Sequence, residues 1–282
     1  MNIILLIKCA FFTLFSNLFI IDLFNSLQKV DISVIIPTHN REQHIINSIK
    51  SVLNQSFNNF EIIIIDDCST DNTQYEIKKI KDNRIKYIKL NKVYGASYSR
   101  NLGIKLAKGK FVSFQDSDDI YHFDKLERQM RNIKKYKSDF DFCKILVQIN
   151  NTNKFFVPNA RVEKRIIKDN NIFEILISEG NFISTQSILI KKIYLEKNLF
   201  DPKFPRLQDY DLVLRIIPKV KVSYTNISLV DLYRQNDSIS LSPTRLKESL
   251  NLLLNKNYNL SPSQKIIFFN YINSIINQTN YF

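Results

Sequence analysis

Short apolar runs that alternate with stretches of helical periodicity constrain this chain more than any other feature. From Asp31 onward, Ile32–Ile36, Phe60–Ile65, Ile85–Leu90 and Lys110–Gln115 read as strands, with helices expected over Arg41–Asn54, Asp71–Lys81 and Ala96–Ala107 between them. Pro37 is expected to stop the first strand, and Ile45, Ile49, Val52 and Leu53 share one face of the first helix. Phe60–Ile65 is apolar nearly throughout, as a strand covered on both sheet faces must be. The pattern predicts βαβ units, a mainly parallel sheet and the α/β class. After Asp119 it loosens: His122–Lys137 is helical, Phe140–Ile149 a strand, and Phe173–Ser178 and Asp209–Ile217 helical. Two amphipathic helices, Leu246–Leu254 and Pro262–Ile276, are expected in the tail.

Several function classes fall away on composition. With 282 residues, 44% hydrophobic and 24% charged, the chain can bury a substantial core, which excludes collagenous, mucin-like, wholly disordered and multi-span membrane proteins. Cys9, Cys68 and Cys143 form no C-x-x-C pair and His39, His44 and His122 no H-E-x-x-H, so neither a disulfide framework nor a zinc enzyme is expected, and a reducing compartment fits. The four glycines, Gly95, Gly103, Gly109 and Gly180, cannot write G-x-G-x-x-G or G-x-x-x-x-G-K-[ST]. A formal charge of +13 attracts polyanions, phosphorylated small molecules or an anionic membrane surface without choosing among them. Nucleic acid is disfavoured, because no RNP, C₂H₂ or basic-zipper pattern accompanies the charge.

Three segments follow from these patterns: an apolar stretch over 1–28, an α/β domain over 29–236 and a helical extension over 237–282. The first reads MNIILLIKCAFFTLFSNLFIIDLFNSL, with Lys8, Asn17, Thr13 and Asp22 scattered around a helical wheel. A membrane anchor, a signal peptide or a stretch packed on the domain all fit it. The anchor leads, because a basic start and a small-residue cleavage site are not clear.

Carboxylates gather where the strands end. The second strand delivers Asp66 and Asp67, and the fourth delivers Asp116, Asp118 and Asp119. In an open parallel sheet ligands bind outside the carboxyl ends of strands. Like charges at one edge repel, and a divalent cation such as Mg²⁺ or Mn²⁺, which takes carboxylate oxygens and shares its remaining positions with phosphates, would relieve them. Taken singly, each acid is better explained as a cap or turn residue, and Asp71 after Ser69-Thr70 is expected to be one.

Read together, these segments carry a resemblance. Val34-Ile35-Ile36-Pro37-Thr38-His39-Asn40-Arg41, then Ile65-Asp66-Asp67-Cys68-Ser69-Thr70-Asp71, then Ser99-Arg100-Asn101-Leu102-Gly103 and Asp116-Ser117-Asp118-Asp119 follow one another in the order and spacing of family 2 glycosyltransferases of the GT-A fold. The resemblance covers about residues 31–235. It implies a Rossmann-like, mainly parallel sheet flanked by helices with a short helical C-terminal tail. It also implies an inverting transfer from a nucleotide-sugar donor, usually UDP-linked, to a glycan or lipid-linked acceptor in surface polysaccharide biosynthesis.

Roles come with the matching positions. Pro37, Thr38, Asn40 and Arg41 with Asp66 and Asp67 would line the nucleotide pocket, Asp67 accepting from a ring N–H of the base. Arg100 and Asn101 would stand near the donor, with Gly95 giving freedom before their helix. Asp116, Ser117 and Asp118 match the acidic motif that holds ribose and the Mn²⁺ or Mg²⁺ on the diphosphate, with Asp118 and Asp119 as metal ligands. Phe204–Arg215 resembles the segment whose aspartate is the catalytic base, which assigns Asp209. Gln208 replaces the usual Glu there, and Asp211 is a competing acid whose plain reading is pairing with Arg215. Tyr233-Arg234 with Ser238-Ile239-Ser240 matches a closing loop, although Gln235-Asn236 departs from the pattern. Glycoside hydrolases also use paired carboxylates, but need no nucleotide-like strand-end arrangement. A catalytically silent scaffold of the same fold would have been free to lose Asp67, Asp118 or Asp209. Basic charge and the apolar first segment place the expected activity in the cytoplasm at the inner membrane face.

Overall fold

The computed structural model describes residues 30–149, 153–169, 171–234 and 242–279. Its centre is β1 (Ile32–Thr38), paired in parallel with β2 (Phe60–Asp66) on one side and β4 (Phe111–Phe114) on the other, with β3 (Ile85–Lys89) beyond β2. Strand alternation sends Ile35, Ile63, Ile65, Val112 and Phe114 to one face and Ile32, Val34, Ile36, Ile62 and Ile64 to the other. Both sets are buried, which is why these strands read as continuous apolar runs.

The second half of the chain extends the sheet. β8 (Ile188–Lys191) runs antiparallel to both β4 and β6 (Phe140–Gln148), and β9 (Val222–Tyr233) lies parallel to β6. β5 (Ile120–Tyr121) closes on β9 and β7 (Lys154–Val157) on β6, both antiparallel, giving the order β3-β2-β1-β4-β8-β6-β9-β5. Because β8 opposes both of its neighbours, β1 to β4, β6 and β9 all point the same way. Their carboxyl ends share one edge, and the residues entering β8 arrive there too.

Helices cover both faces. α1 (Ile45–Leu53), α2 (Thr73–Lys79) and α4 (Lys125–Tyr136) place Ile45, Ile49, Val52, Ile77, Leu126, Met130 and Ile133 in one core cluster. α3 (Ala96–Leu106), α5 (Ala160–Asp169), α6 (Ile172–Glu179), α7 (Lys192–Glu196) and α8 (Gln208–Ile216) supply the other. Gly103 lets α3 sit close on β1, where a Cβ would come 2.4 Å from Ile35 Cγ2. α9 (Pro243–Asn255) and α10 (Pro262–Thr279) join this second cluster through Leu250, Leu253, Phe268 and Ile272, so the C-terminal helices are part of the core.

Two expectations change. Pro37 lies inside β1, because pairing with β4 ends at Ile35 and its missing N–H costs the ladder nothing on that side. The first helix starts at Ile45, after a turn in which the N–H groups of His44 and Ile45 both donate to the Arg41 carbonyl. Among the described residues no helix is long and apolar enough to cross a membrane, and the expected anchor over 1–28 lies outside them.

Candidate active site

The loops after β1 and β2 are laced together before any ligand is considered. Asn40 N–H donates to Ser69 Oγ (2.9 Å) and Arg41 N–H to Thr73 Oγ1 (2.8 Å), while Asn40 Oδ1 accepts from Thr70 N–H (2.8 Å). Asp71 works as the expected cap, taking Thr73 N–H on Oδ1 at 3.0 Å and Glu42 N–H on Oδ2 at 3.1 Å, which holds its carboxyl below the usual range. Thr38 is buried, its carbonyl accepts Asp67 N–H (2.8 Å), and its Oγ1 has no hydrogen-bond partner.

Alternation along β2 separates Asp66 from Asp67. Asp66 is fully buried, accepting Tyr87 O–H (2.6 Å) and Ser69 N–H (2.8 Å), so it is a scaffold residue turned away from the edge. Asp67 takes the N–H groups of Tyr94 (2.8 Å) and Gly95 (2.7 Å), one on each oxygen. It thereby shapes the turn into α3, where Gly95 has φ +91°, a left-handed value that glycine alone adopts easily.

The acid cluster follows β4. Arg100, 6% exposed on α3, donates to Asp116 Oδ1 at 2.7 Å with its guanidinium over the Phe200 ring. Gln186, in the turn that enters β8, donates from one amide nitrogen to Asp116 Oδ2 (2.6 Å) and Asp119 Oδ2 (2.7 Å). Asp119 is 2% exposed and also takes Tyr233 N–H at 3.0 Å; burial and then the charges of Asp116 and Asp118 push its carboxyl well above the usual range. Ser117 is buried in the turn between them. The Asp118 carboxylate faces Arg41 across 3.6 Å, and burial with the Asp116 charge raises its pKa.

Beneath this loop lies a buried polar seam that the sequence did not announce. Lys125, wholly buried, donates to Gln129 Oε1 (2.7 Å) and Ser113 Oγ (3.2 Å) with its ammonium over the Tyr121 ring, and desolvation lowers its pKa to about 8. Gln129 in turn donates to the Ser187 carbonyl (2.8 Å), which steadies the turn carrying Gln186.

Asp209 reaches the same edge from α8. It is half-buried; burial raises its carboxyl, against the Tyr210 N–H at 2.8 Å, the Arg100 charge and the Asn181 amide, while Asp116 raises it further. Its competitor is decided by packing. Asp211 is fully buried and bound to Arg215 (2.7 Å), Tyr258 O–H (2.8 Å) and Lys256 (2.7 Å), leaving it no surface for a substrate. Gln208 donates to the Phe204 carbonyl (3.1 Å), Tyr233 is exposed, and Arg234 follows with its N–H on the Gln148 carbonyl (2.9 Å). The closing-loop residues Gln235, Asn236, Ser238, Ile239 and Ser240 lie outside the described residues.

For a divalent cation, the donor set at this edge is hard carboxylate oxygen. No group of three or more His, Cys, Asp or Glu side chains among the described residues could hold a metal ion. Mg²⁺ is commonly bound through one or two carboxylates plus phosphate oxygens; in this loop the carboxylates with some exposed surface are Asp116 and Asp118.

Residues 33–196 match the model of glycosyl transferase family 2. This chain belongs to that family. Its relatives include the Escherichia coli UDP-Glc:alpha-D-GlcNAc-diphosphoundecaprenol beta-1,3-glucosyltransferase WfgD, 31% identical over 77% of this chain and 81% of that protein. The amylovoran biosynthesis glycosyltransferase AmsB of Erwinia amylovora is 32% identical over 67% and 64% of the two chains. Among solved structures, S. aureus TarS 1–349 in complex with UDP-GlcNAc superposes with a TM-score of 0.70 at 23% identity, over 86% of this chain and 72% of that one. The family 2 glycosyltransferase fold expected from the sequence, GT-A, is therefore the fold observed. Gln186, Asn181 and Arg206 at its edge were missed from the sequence, because only the sheet order carries them there.

Proposed function

We propose that this chain transfers a sugar, with inversion, from a UDP-linked donor to a hydroxyl of a lipid-linked glycan acceptor in surface polysaccharide or glycolipid assembly. The observation that carries the reading is the meeting of Asp209, a half-buried carboxylate with a raised pKa, with the Arg100–Asp116 pair. A base of this kind can take the proton of an acceptor hydroxyl, which is a poor nucleophile at neutral pH, while attack proceeds on the opposite face from the leaving diphosphate. The turn held by Asp67, with Asn40 and Arg41, frames the nucleoside end; Arg100 and Asp116 orient the sugar-diphosphate end; Gln208, Tyr233 and Arg234 border the acceptor side. Asp118 would hold a Mn²⁺ or Mg²⁺ ion, which neutralises charge on the departing diphosphate when bound. The choice of UDP and of a lipid-linked acceptor is supported by WfgD, whose donor is UDP-Glc and whose acceptor is diphosphoundecaprenol-linked, and by the UDP-GlcNAc complex of TarS. A lipid-linked acceptor and a charge of +13 favour work at the cytoplasmic face of an anionic membrane.

The test is release of nucleoside diphosphate from a panel of nucleotide sugars, with Mn²⁺, Mg²⁺ or EDTA and a lipid-linked acceptor extract, for the native chain, Asp118→Ala and Asp209→Asn. Metal-dependent turnover of a UDP-sugar that both substitutions abolish is the expected result. Donor binding without turnover under every condition would instead favour a silent scaffold.

A further inference from the structure

β7 carries a pair of phenylalanines that the fold leaves uncovered. The strand pairs only with β6, antiparallel from Val157 beside Ile145 to Lys154 beside Gln148. Consecutive strand residues point to opposite sheet faces, yet Phe155 is 42% and Phe156 48% exposed, because among the described residues no strand lies beyond β7. Neither ring belongs to a core cluster. Phe155 lies on the Val147 side, with the Arg234 guanidinium 6.0 Å from its ring centre, and Phe156 on the Leu146 side, with Lys144 Nζ at 5.4 Å. Lys144 Nζ also meets Glu163 of α5 at 2.8 Å, which sets that helix beside Phe156. Ile167, 64% exposed, comes one turn after Glu163 on the same flank. Lys164 and Lys168, themselves one turn apart, are exposed next to it. Among the described residues neither they nor Lys154 has a carboxylate oxygen within 4.0 Å.

Exposed rings gain by burial, whereas the lysines beside them gain only from a partner that supplies anions without stripping their water. An anionic bilayer does both: aromatic side chains enter the boundary between headgroups and acyl chains, and ammonium groups stay at the level of the lipid phosphates. A second copy of the chain, itself of charge +13, would set the same lysines against each other. We propose that Phe155, Phe156 and Ile167, flanked by Lys154, Lys164 and Lys168, form the surface by which this chain lies on an anionic membrane. The inference deepens the proposed function and rests on its lipid-linked acceptor. Tyr233 pairs with Gln148 on one side of β6 as Lys154 does on the other. Two strand spacings, roughly 10 Å, therefore separate β7 from the strand end whose Tyr233 N–H is fixed on Asp119. The surface thus holds the acid edge near the headgroups, where a lipid-linked acceptor presents its sugar.

The chain contains no tryptophan, so a single one introduced by substitution reports only its own surroundings. Phe156→Trp and, as a control on α2, Tyr75→Trp at a site 64% exposed are made in the full chain. Each is mixed with phosphatidylcholine vesicles with and without phosphatidylglycerol. On the anionic vesicles the Phe156→Trp emission is expected to move to shorter wavelength and to be quenched by brominated acyl chains, while Tyr75→Trp does neither. Adding Lys164→Gln and Lys168→Gln should raise the lipid concentration needed for that shift roughly fivefold for each lysine, and high salt should raise it further. Vesicle binding that leaves the Phe156→Trp emission unchanged would place the membrane contact elsewhere in the chain and overturn the proposal, as would no binding to anionic vesicles. A short-wavelength emission without vesicles that grows with protein concentration would assign the face to a second copy instead. The double variant Phe155→Ser, Phe156→Ser, checked by thermal denaturation, should lower turnover of a polyprenyl-diphosphate-linked acceptor held in vesicles several-fold and leave a short-chain, water-soluble acceptor unaffected. Equal losses on both acceptors would count against the membrane role. A chain that turns over no donor would sink the functional reading, while the fluorescence still judges the surface.

Discussion

Lys256 Nζ lies 2.7 Å from Asp211 Oδ1, a carboxylate with no exposed surface. This contact joins the end of the C-terminal helix α9 to the helix that presents Asp209, two residues before Asp211. Tyr258 O–H and Arg215 complete the shell, so four contacts from three side chains fix one turn of α8.

Removing Asp211 leaves Arg215 without its carboxylate and Tyr258 without its acceptor, while Lys256 keeps Asp201 at 2.8 Å. Asp211→Ala is expected to cost about 3–5 kcal/mol of stability, as loss of one partner of a buried pair does. Lys256→Met should cost less, because Arg215 and Tyr258 still serve the carboxylate. Denaturant unfolding of both variants checks the order, and Asp211→Ala proving as stable as the native chain would contradict a structural role.

The raised pKa of Asp209 fixes two signs. As a base it must be ionised, so kcat/KM is expected to fall as pH drops through a midpoint above the ordinary aspartate value of about 3.9. Folding binds its proton more tightly than the unfolded chain does, so this group costs stability as pH rises from the unfolded to the folded pKa, and the cost is fully present above the folded pKa. Asp209→Asn should therefore lower kcat on the order of 10²–10⁴-fold while raising the melting temperature at pH 7. That stabilisation should shrink near pH 4, which melting curves at both pH values would reveal.

In the proposed reading Asp118 would supply one carboxylate to a cation, and the described residues offer no three-ligand cage. Mn²⁺ alone is expected to move the melting temperature little, and Mn²⁺ with UDP to move it clearly. At a hundredfold excess over the dissociation constant the shift corresponds to about 2.7 kcal/mol. Asp118→Asn should erase the metal-dependent part. An equal metal response in that variant would show that the ion is held elsewhere.

Gln186 separates two carboxylates with one amide nitrogen. Gln186→Leu leaves Asp116 and Asp119 facing each other without that donor, at an expected cost of about 1–3 kcal/mol. Because Asp119 also holds Tyr233 N–H, the substitution should raise donor KM as well. Gln186→Glu, which adds a third acid, should be worse in both respects. Unfolding and steady-state kinetics on the pair test this, and similar behaviour of the two variants would argue against electrostatics as the cause.

The alternating apolar runs made the first four strands and the helices between them legible, because a strand buried on both faces has to be apolar along its whole length. The Asp66-Asp67 and Asp116–Asp119 clusters were legible as strand-end acids for the same reason. β5, β7, β8 and α5 were not anticipated, since short or half-exposed elements carry little periodicity of their own. Pro37 misled as a strand terminator, because only the end of the β4 ladder shows that its missing N–H is harmless.

What the sequence determined by itself was the order of the first four strands and the helices between them, the family and the acids that gather at one edge of the sheet. Only the tertiary structure decided which of those acids can meet a substrate. Asp66, Asp67, Asp119 and Asp211 resemble Asp118 and Asp209 as letters in a chain, but the former are buried and bound within the fold. It also brought Gln186 and Arg206 to the edge, from an antiparallel strand entry and from a turn braced by the last helices. Hydrogen-bond partners and desolvation are set by residues distant in sequence, and these decide whether a carboxylate is scaffold, base or ligand.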